Sequence, residues 1–544
     1  MSQQLTSAQV AARKPRRLWR FIFPAFLLLV IVAVFLIAPV ASKLGVEGET
    51  LMNVLSVAFM AVPISLILLL VWFVAFSGFR WYTRVAGLLF LALLVGAYLA
   101  CVRKVEFSGE MQPISITFRW EPNEEDELEK FLTQRPKKDD SLNVDLSIDP
   151  VKDFPRYRGF NADGVVMLRN LDTNWSAHPP KTRWMHPCGG GYSGFAVAGD
   201  VAVTLEQRRG DEAVVCYDRK TGNELWEYKY EDRFRRSEPM GGDGPRATPT
   251  IDGGDVFSVG ANGHFVCLDG RNGKKRWSVN ILEDNGAKNI EWAMSGSPLV
   301  VGNLVIVNPG IDPTDNVSKA LVAYDRATGK PVWQSGEYAA GYSSPQLATV
   351  AGVEQILLFD TGGLAGFDPK SGKELWRHPW TTYMGMNIIQ PVVIGGDRVF
   401  IASEPIGCAL LHVQRSGNGF KVDQVWMNRK VVMKFSNPIA LNGSIYGMSY
   451  GKLLCLDAET GNTRWEGAEY GAGQLLLAGN VFVVTEEKKG ELALVAAKPD
   501  KFDELARIEV LKGKTWNTPA LAGNELYFRN HKQMACLELP LAEK

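Results

Sequence analysis

The chain lacks the sequence features that mark many catalytic and metal-binding proteins. Its seven cysteines include no C-x-x-C pair, no C-x-x-C-H haem site and no two adjacent cysteines, and neither G-x-S-x-G nor a P-loop is present. Lys plus Arg and Asp plus Glu both number 59, so there is no basic surplus for nucleic-acid binding. The six histidines show no metal-ligand spacing, and the sequence predicts no metal site.

Four cysteines occupy equivalent places in a repeat, each two residues before an acidic residue: Cys216, Cys267, Cys455 and Cys536. Repeat geometry keeps such positions apart, so they are poor partners for a disulfide bond. We expect them to be small buried hydrophobic residues.

Three apolar stretches follow a basic tail (1–20), and we predict transmembrane helices at 21–41, 51–76 and 85–102. The positive-inside rule places the tail and the second loop in the cytoplasm. The rest of the chain would then lie in the periplasm of a diderm bacterium, which predicts a multi-pass inner-membrane protein. A cleaved signal peptide is the alternative interpretation of the first stretch.

The segment 103–153 is predicted to be a linker between the membrane helices and the repeats. It opens with the strand-like SITFRW and then becomes acidic, and Glu124 to Leu132 is predicted to form a short solvated helix.

One phrase recurs along the rest of the chain with the pattern Asp-x-x-Thr-Gly-x-x-x-Trp. Its copies are CYDRKTGNELW (216–226), CLDGRNGKKRW (267–277), AYDRATGKPVW (323–333), GFDPKSGKELW (366–376) and CLDAETGNTRW (455–465), with a degenerate copy ending at Trp426. In each copy Asp caps a turn, Gly takes the positive φ that closes it, and Trp lies on the next strand. A second phrase that ends in Pro, such as GSP (296–298), marks the start of each unit.

Each unit is therefore predicted to form a four-stranded propeller blade of roughly 40 to 50 residues. We predict an all-β, eight-bladed β-propeller over 154–544, in which the strand around Trp184 completes the last blade and closes the ring. Ile508 replaces the tryptophan in the seventh unit. The tryptophans predicted to dock neighbouring blades are Trp184, Trp226, Trp277, Trp333, Trp376, Trp426 and Trp465. Burial of each is worth on the order of 4–6 kcal/mol gross, so packing alone explains the motif.

These hairpins resemble the tryptophan-docking motifs of the pyrroloquinoline-quinone (PQQ) propeller superfamily, which includes quinoprotein alcohol dehydrogenases and the non-enzymatic assembly lipoprotein BamB. The similarity covers about 154–540, and stretches such as GYSSP (341–345) and KTWNTPAL (514–521) resemble bacterial PQQ-like repeat proteins. The dehydrogenase branch has an adjacent-cysteine disulfide, long insertions and sometimes a fused haem domain. This sequence lacks the first and the last, and most of its units are close to minimal length.

A binding site is expected on the funnel face, which carries the loops that enter each first strand and those between the second and third strands. The long loops 228–247, 280–296 and 309–319 elaborate one side of it. The candidate ligand-binding residues are Glu206, Gln207, Arg208, Asp243, Arg246, Trp292, Asn387 and Asn517. Each also has a structural interpretation; Arg246, for example, could tie its own glycine-rich loop.

The preferred functional hypothesis is a non-enzymatic, BamB-like binding or scaffold module in the cell envelope, whose partners are envelope proteins or a small ligand. The alternative is a PQQ-dependent dehydrogenase that uses PQQ with Ca²⁺ to oxidise an alcohol or sugar and feeds membrane quinone. A ligand sensor is disfavoured because no cytoplasmic segment is long enough for an output domain.

Overall fold

The computed structural model describes residues 21–33, 61–109, 113–134, 144–168, 170–235, 241–312, 314, 319–382 and 385–542. The chain forms two compact units, Met1–Arg103 and Lys104–Lys544.

Within the described part of the first unit, one helix is long and apolar enough to cross a bilayer, Trp81–Cys101. The other two apolar helices there are shorter, at Phe21–Ala33 and Ala61–Phe76. The prediction of three spans is therefore not supported, since a helix needs about 20 residues to cross the hydrocarbon core. Residues 34–60, on which parts of the first two predicted spans fall, lie outside the described residues.

The described residues of the second unit contain eight propeller blades, as the repeat count predicted; seven are sheets of four antiparallel strands and one has a fifth strand. Blade 1 consists of Ala196–Ala198, Val201–Arg208, Asp211–Asp218 and Glu224–Glu231, and blade 2 of Thr250–Asp252, Asp255–Val259, His264–Asp269 and Lys275–Asn280. Blade 3 consists of Leu299–Val301, Leu304–Val307, Leu321–Asp325 and Pro331–Ser335, and blade 4 of Gln346–Val350, Val353–Asp360, Gly363–Phe367 and Glu374–Pro379. Blade 5 consists of Val392–Ile394, Arg398–Ser403, Gly407–Ser416 and Gly419–Asn428, and blade 6 of Ile439–Leu441, Ser444–Ser449, Lys452–Asp457 and Thr463–Glu469.

Blade 7 consists of Leu475–Ala478, Val481–Thr485, Glu491–Ala496 and Glu504–Glu509, with the short strand Val165–Val166 added in parallel to its first strand. Blade 8 combines Ala520–Ala522, Glu525–Arg529 and Gln533–Glu538 with the upstream strand Lys181–Pro187. In this blade Trp184 lies opposite Cys536, so the predicted closure of the ring by the strand around Trp184 is confirmed.

All the docking tryptophans except Trp376 lie against the turn of the following blade. A Cβ atom added at Gly222 would lie 2.6 Å from the Trp184 ring, and one at Gly273 would lie 2.5 Å from the Trp226 ring. Both glycines have positive φ, so the turn needs glycine both for its backbone and for the approach of the indole. The Trp226 indole N–H also donates to the carbonyl of Gly270, at 2.8 Å.

The Asp and Thr of the motif close the turn, as predicted from the sequence. Asp218 accepts from the backbone N–H and the hydroxyl of Thr221, both at 2.7 Å. Asp325 with Thr328, and Asp457 with Thr460, repeat this arrangement. All four repeat-equivalent cysteines are fully buried and free.

Blade 5 carries the degenerate copy of the motif and differs from the other blades at that hairpin. Its third and fourth strands continue to Ser416 and from Gly419, so no Asp-Thr-Gly turn faces blade 4. The Trp376 indole N–H of blade 4 instead donates to Gln355 of its own blade, at 2.6 Å.

The segment 145–166 contacts several blades. Asp145 accepts from the N–H of Asp200, and the Arg219 guanidinium donates to Asp153 at 2.8 Å, both at turns of blade 1. Further along, the Phe154 N–H donates to Val197 of blade 1, and the Gly164 carbonyl accepts from the N–H of Leu477 of blade 7. The buried Arg158 guanidinium donates to the Pro438 carbonyl at the entry to blade 6. The segment therefore links blades 1, 6 and 7.

The predicted linker is packed into the second unit. It contains a hairpin, Val102–Phe107 with Pro113–Phe118, and a helix, Glu124–Thr133. The helix is not solvated throughout, because Leu128 is buried and the Phe131 ring stacks on His186 of blade 8. Its acidic side chains pair with basic residues of the propeller: Asp126 and Glu129 with Arg209, Glu125 with Arg233, and Glu124 with Lys532.

Candidate binding site on the funnel face

A chain of hydrogen bonds links the loops that enter the blades. The N–H of Thr248 donates to the hydroxyl of Ser297, the N–H of Ser297 to the hydroxyl of Ser344, and the N–H of Ser344 to the side chain of Gln390. The N–H of Gln390 then donates to the side chain of Asn437. Each of these residues precedes the proline that marks a blade start, so the Pro-ending phrase also joins neighbouring blades.

Glu206 and Arg208 belong to a buried ion-pair network, not to a solvated strand. The Arg208 guanidinium donates to Glu206, Glu224 and Glu227 at 2.7–3.0 Å. Burial acts to raise the pKa of Glu206, but the charges of Arg208 and Arg529 lower it to about 2. The Glu206 carboxylate therefore stays ionised and holds the loop through the N–H of Gly189, at 2.8 Å.

Gln207, Asp243 and Arg246 hold the loops around them. The Gln207 amide donates to three backbone carbonyls, those of Arg209, Asp211 and Asp232. The Arg246 guanidinium donates to the carbonyls of Gly242 and Gly244, which is the loop-tying role that the sequence left open. Asp243 accepts from Arg233, at 3.2 Å.

The two asparagines and Trp292 lie in blade-entry loops. The Asn387 amide donates to the carbonyls of Asp360 and Trp380, and the Asn517 amide to those of Gly191 and Ser193. In both, the buried side-chain oxygen has no hydrogen-bond partner. The Trp292 ring lies 5.7 Å from the Tyr342 ring. The loop of residues 241–246 brings three of the eight candidates close together: it contains Arg246, and Cβ atoms added at its Gly241 and Gly244 would lie 3.1 Å from Trp292 and from Gln207.

An aromatic row, formed by Tyr192, Trp516 and Phe435, lies where blades 1, 8 and 6 are entered. The Trp516 ring stacks on Phe435 at 5.0 Å and lies 5.6 Å from Tyr192. A cation covers each ring: the Lys514 ammonium lies 3.5 Å from the Trp516 centroid, Lys434 lies 5.2 Å from Phe435, and Arg246 lies 5.5 Å from Tyr192. Such contacts are worth about 0.5–2 kcal/mol each.

Sequence reasoning did not select the aromatic row, although a signal was available. An aromatic residue stands immediately before the three-residue phrase that ends in Pro in GYSSP (341–345), in KFSNP (434–438) and in KTWNTP (514–519). In blade 1 the same spacing places Tyr192 before Phe195, which stands where the other blades have Pro. Blade-entry loops surround the funnel, so this periodic aromatic predicts rings on that face.

Glu487 lies beneath the aromatic row and is held by the propeller itself. Its carboxylate accepts from the Trp516 indole N–H at 2.6 Å and from the N–H of Ala472 at 2.9 Å. A small cleft beside it is lined by Lys434, Phe435, Ser436, Tyr450 and Ala472 among others. At the same cleft Lys434 pairs with Glu404, at 2.7 Å.

Only one group among the described residues could offer a metal ion three ligands, namely Glu106, Glu124 and His531. The charges of this group are already balanced, because Lys104 lies 3.1 Å from Glu106 and Lys532 lies 3.0 Å from Glu124. A divalent cation there would leave an excess of positive charge in a buried place, so the donor set does not fit Ca²⁺. Glu106 is fully buried, and burial acts to raise its pKa, but the neighbouring His531, Lys104 and Lys532 lower it.

Comparison with known proteins agrees with the fold. A family model described as outer membrane protein assembly factor BamB matches residues 168–284 and 210–467, which together exceed half of the chain. The chain belongs to this family. BamB of Burkholderia pseudomallei (strain K96243) is 25% identical over 186 residues, which are 32% of this chain and 43% of that protein.

The chain is also similar to quinohemoprotein alcohol dehydrogenases. Quinohemoprotein alcohol dehydrogenase ADH IIB of Pseudomonas putida is 29% identical over 143 residues, which are 25% of this chain and 20% of that protein. The chain therefore spans less than half the length of either relative. The crystal structure of quinohemoprotein alcohol dehydrogenase from Comamonas testosteroni superposes with a TM-score of 0.53 at 14% identity, over 73% of this chain and 82% of that one. This likeness establishes the propeller fold alone.

Proposed function

We propose that the chain is a membrane-anchored, non-enzymatic binding or scaffold module of the bacterial cell envelope. In this proposal its apolar N-terminal helices hold it in the inner membrane, and the propeller lies on the periplasmic side, where its partners are envelope proteins. Membership of the BamB family supports the proposal.

The observation that carries the proposal is the aromatic row with its cations. Tryptophan and tyrosine rings beside an arginine, as Trp516, Tyr192 and Arg246 are here, are typical of the energetically dominant part of a protein interface. In contrast, Glu206 and Arg208 are committed to holding strands and loops. These contacts suit a rigid recognition surface.

The second candidate is a PQQ-dependent dehydrogenase, which the similarity to ADH IIB favours. Lys514 and Arg246 bring positive charge to the aromatic row, which suits an anion such as PQQ. When bound, PQQ would supply the two-electron oxidation of an alcohol or sugar. The fit is incomplete, because the described acidic group is neutralised by lysines and no two cysteines are adjacent.

One experiment separates the two candidates. The full chain, purified in detergent, is titrated with PQQ and Ca²⁺ and assayed for quinone absorbance and dye-linked oxidation of ethanol and glucose. In parallel, envelope proteins are cross-linked to it, identified, and tested by reciprocal capture. We expect reciprocal capture that falls at least tenfold in Trp516→Ala and is unchanged in Trp120→Ala, an exposed tryptophan. Stoichiometric PQQ binding with turnover would overturn the proposal.

A further inference from the structure

The hairpin formed by Val102–Phe107 and Pro113–Phe118 places Gly109, just after its first strand, against the aromatic row. The N–H of Gly109 donates to Glu487 Oε1 at 2.5 Å, and this contact is buried. Lys434 Nζ lies 3.5 Å from the Gly109 carbonyl oxygen. Both main-chain groups of this glycine thus face a side chain of opposite polarity.

The site also selects for glycine by size. A methyl group added at Gly109 would lie 3.0 Å from the Phe435 ring and 3.3 Å from the Cβ of Ala472. Carbon atoms pack best at about 3.5–4.0 Å, so a larger residue would have to move the ring or withdraw the turn.

The acceptor in this site exists without the hairpin. The Trp516 indole N–H and the N–H of Ala472 already orient the Glu487 carboxylate. Phe435 is likewise held by its stack on Trp516, and Lys434 by its pair with Glu404. The propeller therefore presents a preformed site, and the hairpin is one occupant of it.

A separate contact holds the hairpin in place. Glu106, two residues before the Ser108–Gly109 turn, lies 2.8 Å from His531 and 3.7 Å from Lys532 of blade 8. The opposite strand supports Glu106 through the hydroxyl of Ser115, at 2.8 Å. This latch keeps the turn close to its site and gives it a high effective concentration there.

We propose that Glu487, Lys434 and Phe435 form a recognition site for a glycine-containing turn of a partner protein, and that the hairpin of residues 102–118 occupies this site in cis. The inference rests on the proposed function, because it names the partner feature that a binding module would take on its funnel face. A partner must displace the hairpin before it binds, so the site selects the partner and the bound hairpin slows its binding.

The test uses the full chain and, as probe, a fluorescein-labelled peptide with the sequence of residues 102–118. In a Gly109→Val chain the propeller residues are unchanged, and we expect faster hydrogen exchange in the hairpin and peptide binding by anisotropy. The unmodified chain should bind the peptide at least tenfold more weakly, because its site is occupied. A peptide that itself carries Gly109→Val should not bind.

Matched variants test whether the peptide binds at Glu487. Glu487→Gln, added to the Gly109→Val chain, should weaken peptide binding about tenfold, because a charge-assisted hydrogen bond is lost. Glu486→Gln should not, since Glu486 accepts from the N–H of Lys489. Equal binding by the unmodified and Gly109→Val chains, no binding by either, or binding of the valine peptide would overturn the inference. None of these results bears on capture of envelope proteins, so failure of the inference and failure of the proposed function are distinguishable.

Discussion

At the scale of single residues, a junction between neighbouring blades depends on one tryptophan of one blade and one glycine of the next. The Trp226 side chain is 5% exposed and lies over the turn that contains Gly273. Its position repeats from blade to blade because the turn that receives it repeats. Where the receiving turn is missing, as beside blade 5, Trp376 finds a partner within its own blade.

We expect Trp226→Ala to reduce the free energy of unfolding by about 3–5 kcal/mol, because it leaves a cavity and an unpaired carbonyl at Gly270. Urea unfolding followed by circular dichroism measures this loss. Trp120→Ala is the control, since Trp120 is 68% exposed, and its effect should stay below about 1 kcal/mol. A loss that small in Trp226→Ala would contradict the docking role.

Glu212 gives the propeller a pH dependence between blades 1 and 2. Burial, with Asp232 nearby, raises the pKa of Glu212 to about 7 against the opposing effects of Tyr230, the N–H of Ala261 and Arg246. The folded chain therefore keeps a proton that the unfolded chain releases near the ordinary value of 4.5. The stability that this proton contributes is complete below pH 4.5 and is lost as the pH rises to about 7.

We expect Glu212→Gln to remove up to about 3 kcal/mol of this pH dependence, because 2.5 pKa units separate the two values of 4.5 and 7. Urea midpoints of the variant and of the unmodified chain should therefore differ most above pH 7, where the variant is more stable. Glu231→Gln, an exposed change on the adjacent strand, should leave the profile unaltered. Parallel profiles for the unmodified chain and Glu212→Gln would refute this account.

At the scale of elements, the helix Glu124–Thr133 shows how tertiary contacts change the meaning of a local pattern. Its acidic run predicts a solvated surface, and the helix itself forms where expected. The basic residues that pair with it, Arg209, Arg233 and Lys532, come from distant parts of the sequence. Exposed pairs of this kind contribute about 0–1 kcal/mol each, so burial of Leu128 is the stronger anchor.

We expect Leu128→Ala to destabilise the docked helix by about 2–3 kcal/mol and so to raise hydrogen exchange across Glu124–Thr133 by roughly 30- to 150-fold. Exchange in the blades should not change. Glu127→Ala, an exposed substitution in the same helix, should have little effect. Unchanged exchange in Leu128→Ala would mean that the ion pairs alone dock the helix.

At the scale of the whole molecule, the ring is closed by two ends of the propeller that are far apart in sequence. The strand Lys181–Pro187 completes blade 8, and its Trp184 docks on the turn of blade 1 at Gly222. This strand pairs with Gln533–Glu538, which would otherwise be an unpaired edge of blade 8. The segment 145–166 adds contacts with blades 1, 6 and 7.

Gly222→Ala tests closure against a matched control, Gly417→Ala. Both glycines have positive φ, so each change costs about 1 kcal/mol of backbone strain. Only at Gly222 would the new methyl group meet a tryptophan, since nothing lies within 4 Å of a Cβ atom at Gly417. We expect Gly222→Ala to lower the urea midpoint further and to accelerate proteolysis near 181–187; equal effects of the two changes would contradict this.

The sequence by itself determined the blades: their number, their hairpins and the strand that closes the ring. These features depend on local spacing, because an Asp-capped turn, a glycine with positive φ and a tryptophan four residues later lie within one hairpin. Only the tertiary structure decided that Glu206 and Arg208 form a buried network, that Tyr192, Trp516 and Phe435 meet, and that Gly109 reaches Glu487. Those contacts join residues that are up to several hundred positions apart, and the distance between them is set by how eight blades curve into a ring.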